Sequence, residues 1–346
     1  MTTHEPHSTS SNSNVPQPVN NLTEEEASRY DRQMRLWGLE AQQRMRNATI
    51  LVVRLKGTAT EAIKNMVLAG IGKLVIVDNE EVTEEDLGAG FLFRDEDVGK
   101  NRLDAAKSRV ESLNPLVTVE IIPSASVLEG EAFEALVRGV DLVCVTDWDR
   151  DGLIRMNNVC RRNGKPFYAG GTYGLVGYIF CDLLNHDYIA PDRSALKEAP
   201  RDVKKTAAYP PLEVALGHRW TGLTKRQTKE VNPAVIFSIL AIWQYQSLHA
   251  GSLPDDKSTA IELDSIANSL IKEADVNKQV LTKAPPLIQA LATTAAHEFS
   301  PVCAIVGGML AQDILKALAA REPPIANFFA FDGNTGGGTV TRMNMP

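Results

Sequence analysis

Cysteine is scarce in this chain, with four among 346 residues, and no two of them form a C-x-x-C pair. Cys144, Cys160, Cys181 and Cys303 lie in apolar contexts, so they read as buried thiols of a reducing compartment and not as a zinc site or a disulfide framework. The six histidines include no H-E-x-x-H and no other metal spacing, and no metal is assigned. A bilayer span needs ~20 apolar residues. The longest nearly apolar stretches, Pro233 to Trp243 and Pro301 to Ala311, fall well short, so no membrane partner is expected. An excess of positive charge is also missing: 36 Lys plus Arg face 43 Asp plus Glu, for a net charge of −7. That balance excludes nucleic acid held by charge alone and suits a protein partner better. The opening MTTHEPHSTSSNSNVPQPVNN has neither a basic n-region nor an apolar h-region, so residues 1–21 read as a disordered tail and not as a secretory signal.

With 44% hydrophobic and 23% charged residues, the chain has the composition of an ordinary globular protein. Its length allows about two domains, or one large α/β domain with an insertion. Order is expected to begin near Leu22, where Thr23 and Glu26 form a capping-box signature. The segment RYDRQMRLWGLEAQQRMRN then reads as two amphipathic helical pieces broken at Gly38.

From Ala48 strands alternate with helices. ATILVV (48–53) is a buried strand, Thr58 is expected to cap a helix with Glu61 at its third position, and KLVIVD (73–78) completes a βαβ unit. The helix KNRLDAAKSRVESLN, the strand VTVEIIP (117–123), the strand DLVCVTD (141–147), a helix through Arg155 to Arg162 and PFYAGG (166–171) continue the alternation. The fold class expected is therefore α/β, with a doubly wound, Rossmann-like parallel sheet.

Beyond Tyr173 the texture changes: GLVGYIFCDLL is a longer strand, and residues 191–230 hold nine Lys/Arg against five Asp/Glu. That stretch reads as a surface insertion, within which Lys204-Lys205 and Lys225-Arg226 are the densest basic pairs. Asn232 is expected to cap a helix opened by Pro233, with Ile236, Ile239, Leu240 and Trp243 along one face. Helices over 260–273, 286–298 and PVCAIVGGMLAQDILKALAA follow, and NFFAFD with GTVTRM closes the chain as a hairpin around GNTGGG. Gly307 and Gly308 weaken their helix unless close backbone packing compensates. The organisation expected is a tail at 1–21, a first α/β part at 22–184, a helical and partly basic insertion at 185–285, and a return to the α/β domain at 286–346.

The first βα turn of such a sheet normally holds a nucleotide's phosphates on helix N–H groups, and its fingerprint is G-x-G-x-x-G. Here the turn reads Arg54-Leu55-Lys56-Gly57-Thr58-Ala59-Thr60-Glu61, and only Gly57 of the first glycines is in place. Arg54 and Lys56 are expected to fill the space a pyrophosphate needs. Asp78, at the end of the second strand, has the position of a ribose-binding acid, although a strand-end Asp is more often a turn or helix cap. Gly57 and Asp78 are thus remnants of a degenerate nucleotide site.

The strings YDRQMRLWGLEAQQRMR, LKGTATEAIKNMVLAGIGKLVIVD, FLFRDEDVGKNR and PVCAIVGGMLAQDILKAL together resemble the smaller subunits of heterodimeric SUMO-activating enzymes, over roughly residues 24–343. The resemblance implies a sulfur-carrier-adenylase-like fold that has lost most of its own ATP site. It further implies that Mg-ATP and the thioester cysteine belong to a large catalytic partner, that SUMO is the protein substrate, and that the SUMO-conjugating enzyme is reached indirectly. It assigns Arg32, in the YDRQ string, as an arginine supplied in trans to the partner's ATP site, with Arg35 as the alternative if the register differs. Where active members carry a polar N-L-N-R-Q-F-like string, this chain has Asp86 to Phe91 (DLGAGF), and Arg102 replaces an expected lysine. The acid after the 141–146 strand stays open between Asp147 and Asp149, with Trp148 between them. Nuclear residence, with cytoplasm also open, is implied by the family alone. Three other readings count for less. A nicotinamide oxidoreductase lacks its glycines and a Tyr-x-x-x-Lys pair here. A homodimeric sulfur-carrier adenylase would show an intact glycine loop. The matching subunit of another ubiquitin-like activator is usually longer.

Overall fold

The computed structural model describes residues 22–192, 201–221, 224, 226, 231–276 and 284–346. The expected tail at 1–21 and Lys225 of the basic stretch lie outside these.

Thr23 opens α1 (Glu24–Arg29) with a full capping box: its Oγ1 accepts from the Glu26 amide at 3.2 Å, and Glu26 Oε2 accepts from the Thr23 amide at 2.8 Å. Two short helices follow, α2 (Asp31–Trp37) and α3 (Leu39–Asn47), parted at Gly38 with φ +87°. The positive φ ends one helix and starts the next without a Cβ clash.

β1 (Thr49–Val53) alternates its side chains between two cores. Ile50 and Val52 join Leu74, Ile76 and Leu142 on one face, and Leu51 and Val53 join Val75, Val77 and Val143 on the other. β1 pairs in parallel with β2 (Lys73–Val77) and with β4 (Leu142–Thr146), β2 with β3 (Thr118–Ile122), and β4 with β5 (Phe167–Tyr173). The five parallel strands are extended by three antiparallel ones, β6 (Val176–Asp182), β9 (Phe328–Asp332) and β10 (Gly337–Thr341). The full order is β10-β9-β6-β5-β4-β1-β2-β3, so the expected parallel sheet is mixed. Tight turns join β5 to β6 and β9 to β10, and a short connection can only reverse the chain.

One face of the sheet is covered by α3, α4 (Gly57–Leu68), α6 (Arg102–Leu113) and α13 (Ser300–Ala319). The other is covered by α7 (Gly130–Arg138), α8 (Arg150–Arg162), α10 (Pro233–Leu248), α11 (Ala260–Glu273) and α12 (Ala284–Thr294). Between β2 and α6 lies the short α5 (Asp86–Ala89). The segment expected to be helical from 185 opens as a two-stranded ribbon, β7 (Asn185–Asp192) with β8 (Arg201–Ala208), before α9 (Leu212–Leu216). In that ribbon Lys204 pairs with Asp187 at 2.7 Å.

Three expected details are corrected. α4 starts at Gly57 with Lys56 as its N-cap, so Thr58 does not cap it; Thr58 and Thr60 are buried in the first turn. Asn232 precedes Pro233 in a left-handed conformation (φ +46°) with no side-chain cap bond. α10 is buried on all sides from Pro233 to Trp243, not along one stripe, as suits a helix sandwiched between the sheet and α11 to α12.

α13 has the length and apolarity of a membrane span, yet 61% of its apolar window is buried, against α3, α4, β5 and β6. Its two glycines differ. A Cβ on Gly307 would lie 2.6 Å from the Thr58 carbonyl oxygen and 2.8 Å from Glu61 Cβ, whereas one on Gly308 would meet nothing within 4 Å. Gly307→Ala is therefore expected to destabilise by about 1–3 kcal/mol through overpacking against α4. Gly308→Ala is expected to stabilise by roughly 0.5–1 kcal/mol through helix propensity. Urea unfolding midpoints of the two variants check the opposite signs.

Candidate functional site

Strand order reverses between β1 and β4, which opens a crevice at the carboxyl ends of the strands, where ligands of open α/β sheets bind. A cleft of about 370 Å³ lies there, with Arg54, Asp78, Glu80, Trp148, Asp149 and Gly251 in its wall.

The first turn shows what replaced the glycines. Arg54, at φ +70°, donates from Nη1 to the Asp147 carbonyl at 2.7 Å and from Nη2 to Glu80 Oε1 at 3.1 Å. Its guanidinium also lies 5.8 Å from the Trp148 ring centroid. Arg54 is thus laced across the cleft and not aimed at the helix end. The amide of Gly57, the first free donor of α4, points at a carboxylate from elsewhere in the chain: it donates to Glu298, 3.0 Å from Oε1 and 3.2 Å from Oε2. No local sequence signal marks Glu298, because 241 positions separate the two residues.

Asp78 is fully engaged. Its Oδ2 accepts from the Leu55 amide at 2.7 Å and its Oδ1 from the Glu80 amide at 2.7 Å, so it clamps the ends of β1 and β2 together. Arg102, 3% exposed, sits under an acid cluster. It holds Asp86 through Nη2 at 2.9 Å and Nε at 3.1 Å, pairs with Glu80, and lies 3.6 Å from Asp78. Burial opposes its charge, but Asp86 and Asp78 outweigh burial and raise its pKa further. Burial raises the Asp78 carboxyl above its ordinary range despite the two amides and Arg102. Burial would also raise Glu80, yet the charges of Arg54 and Arg102 hold it below. Asp86, at the head of the string that lacks its polar residues, is thereby spent on an internal ion pair.

The acid after β4 is Asp147. Its Oδ1 accepts from the Thr172 amide at 3.1 Å, while its Oδ2 is buried with no hydrogen-bond partner among the described residues. Burial raises its pKa against the charge of Lys56. Asp149 instead caps α8 by accepting from the Gly152 amide at 2.9 Å.

Arg32 stands apart from this cleft on α2, exposed, with no ion pair or side-chain hydrogen bond among the described residues. Asp31, its nearest acid in sequence, is taken by Arg35 at 2.8 Å. All four cysteines are buried. Burial pushes the thiols of Cys144, Cys160 and Cys303 up to about 12 and raises that of Cys181 as well, so none is poised as a thiolate nucleophile.

These residues do not fit a bound Mg-ATP. The helix amide that would receive phosphate is occupied, and the cation beside Asp86 is neutralised within the chain.

Burial, helped by Asp147, pushes Glu298 up to about 7, and burial pushes Asp313, which accepts from Tyr168 Oη at 2.8 Å, up to about 6. Between pH 5 and 7 the folded chain then keeps protons that the unfolded chain has released. Stability should fall as pH rises through this window, by up to about 1.4 kcal/mol per pH unit per group, and level off above it. Glu298→Gln should flatten the upper part of the curve, which unfolding midpoints between pH 5 and 8 would show.

A profile of the ThiF family matches residues 30–346. "SUMO-activating enzyme subunit 1" of Rattus norvegicus is 35% identical over 340 residues, covering 92% of this chain and 95% of the relative. The Homo sapiens protein of the same name is 34% identical over 342 residues, with the same shares covered. Among solved structures, PaaA superposes with a TM-score of 0.58 at 16% identity, covering 96% of this chain and 77% of that one. E. coli MccB does so with 0.54 at 16% identity, covering 94% and 72%. The two structures share the fold, and the sequence relatives extend nearly end to end. The chain belongs to the ThiF family and is a relative of SUMO-activating enzyme subunit 1.

Proposed function

We propose that this chain is the non-cysteine subunit of a heterodimeric SUMO-activating enzyme. A large catalytic partner binds Mg-ATP, adenylates the SUMO C-terminus and takes it as a thioester for the conjugating enzyme. This chain supports the partner's fold and supplies Arg32 in trans to the partner's ATP site. The observation that carries the reading is Arg32: an exposed guanidinium, unpaired among the described residues, in a chain whose own phosphate position is filled. A guanidinium presents fixed, bidentate donors to phosphate oxygens and offsets charge as pyrophosphate leaves. The four buried thiols support placing the thioester on the partner. Nuclear residence, with a cytoplasmic share, completes the proposal, and imaging of the tagged full-length chain tests it.

The test of function is SUMO-dependent ATP–pyrophosphate exchange. The chain alone should be silent, and its mixture with the large subunit should be active. Exchange by the chain alone would overturn the assignment.

A further inference from the structure

We infer that Glu298 is an intramolecular stand-in for a nucleotide phosphate: its carboxylate closes the N-terminus of α4 from inside and keeps this half-site shut to phosphate-bearing ligands. The inference concerns this chain's own cleft and stands independently of any role of Arg32.

A helix N-terminus is an anion site because its first amides lack intrahelical partners and the helix dipole favours negative charge. In α4 that preference is already met. Both Glu298 oxygens lie within 3.2 Å of the Gly57 amide nitrogen. The helix start is packed closely around this contact: a Cβ on Gly57 would lie 3.0 Å from Ala89 Cβ and from Cys303 Sγ, and 3.2 Å from Glu298 Oε1.

The carboxylate is held by its own backbone. Gly174, in the turn between β5 and β6, donates to the His297 carbonyl at 3.0 Å and bridges to Glu298, and α13 begins two residues later. The segment is thus pinned to the sheet on one side and to a buried helix on the other. The negative charges of Asp147, whose Oδ2 is buried without a partner among the described residues, and of Asp86 act on Glu298 and disfavour a further anion there; Lys56 is a cation that acts on both Glu298 and Asp147. Arg54 takes no part in the closure, since its guanidinium is engaged with the Asp147 carbonyl and Glu80. The cradle is closed by a tertiary contact and not by the bulky side chains of the turn itself.

The experiment uses the full-length chain with inorganic pyrophosphate as probe, in titration calorimetry. Removing an internal competitor raises apparent affinity by the fraction of the site it had blocked. Glu298→Ala should bind pyrophosphate about tenfold more tightly than wild type or better, and Glu298→Gln, which keeps an acceptor but loses the charge, should lie between. Folded Ala and Gln variants that bind as weakly as wild type would overturn the inference. If Glu298→Ala does not fold, hydrogen exchange at the Gly57 amide of the wild-type chain decides. Protection like that of the α4 interior is expected, and exchange as fast as a frayed helix end overturns the contact.

Discussion

Arg32→Ala in the assembled heterodimer is expected to lower SUMO-dependent ATP–pyrophosphate exchange by ~10²–10³-fold, the usual effect of removing one preorganised donor from a site of developing charge. The residue is exposed and has no partner among the described residues, so the loss should not come from unfolding. Stability of the variant is expected to stay within about 0.5 kcal/mol of wild type. Arg32→Lys keeps the charge but loses the planar fork and should restore only part of the rate. If the guanidinium acts as pyrophosphate departs, the deficit falls mainly on kcat and not on the KM for ATP. Arg35→Ala is the internal control, because Arg35 is committed to Asp31 at 2.8 Å. A fully active Arg32→Ala pair would remove Arg32 from the mechanism, and a dead Arg35→Ala pair would transfer the role to its neighbour.

The largest expected effect on stability is at Arg102. This guanidinium is the cation that joins Asp86, Glu80 and Asp78, and both Asp86 and Asp78 are buried. Arg102→Met matches the stem but leaves the acids uncompensated, which typically costs about 3–5 kcal/mol. Arg102→Lys should also be costly, since an ammonium cannot reproduce the Nε and Nη2 contacts to one carboxylate. Pairing Arg102→Met with Asp86→Leu should regain part of the loss, because the second change removes the charge stranded by the first. The deficit of Arg102→Met should shrink at acid pH, where Asp78, whose carboxyl burial already raises, protonates and no longer needs the cation. Urea titrations at neutral pH and near pH 4 measure both. A wild-type midpoint for Arg102→Met at neutral pH would show that the cluster is solvated and not held by this residue.

Much of the scaffold is legible along the chain. The run TILVV has to be a strand buried on both faces, since every residue after Thr49 is apolar and the stretch is too short for a buried helix. Thr23 and Glu26 announce α1 because a capping box is a local device. The ribbon β7 to β8 was hidden because its exposed strands, with Lys204 and Lys205 beside Asp202, have the polarity of a loop; pairing, not burial, makes them strands. The all-round burial of α10 was also out of reach, since periodicity cannot say how many neighbours a helix will have.

The site divides along the same line. The amino-acid sequence by itself determined that the first βα turn carries Arg54 and Lys56 where glycines belong, that no two cysteines form a C-x-x-C pair, and that Arg32 lies in an amphipathic entry segment. These are properties of neighbours along the chain. The tertiary structure alone decided which groups satisfy the site. It brought Glu298 to the Gly57 amide, set Arg102 against three acids, put Asp147 at the strand end while Asp149 went to a helix cap, and gave Asp31 to Arg35 and not to Arg32. Hydrogen-bond donors and buried charges take partners by proximity in space, and in a doubly wound sheet the loops that meet at the strand ends come from distant parts of the chain.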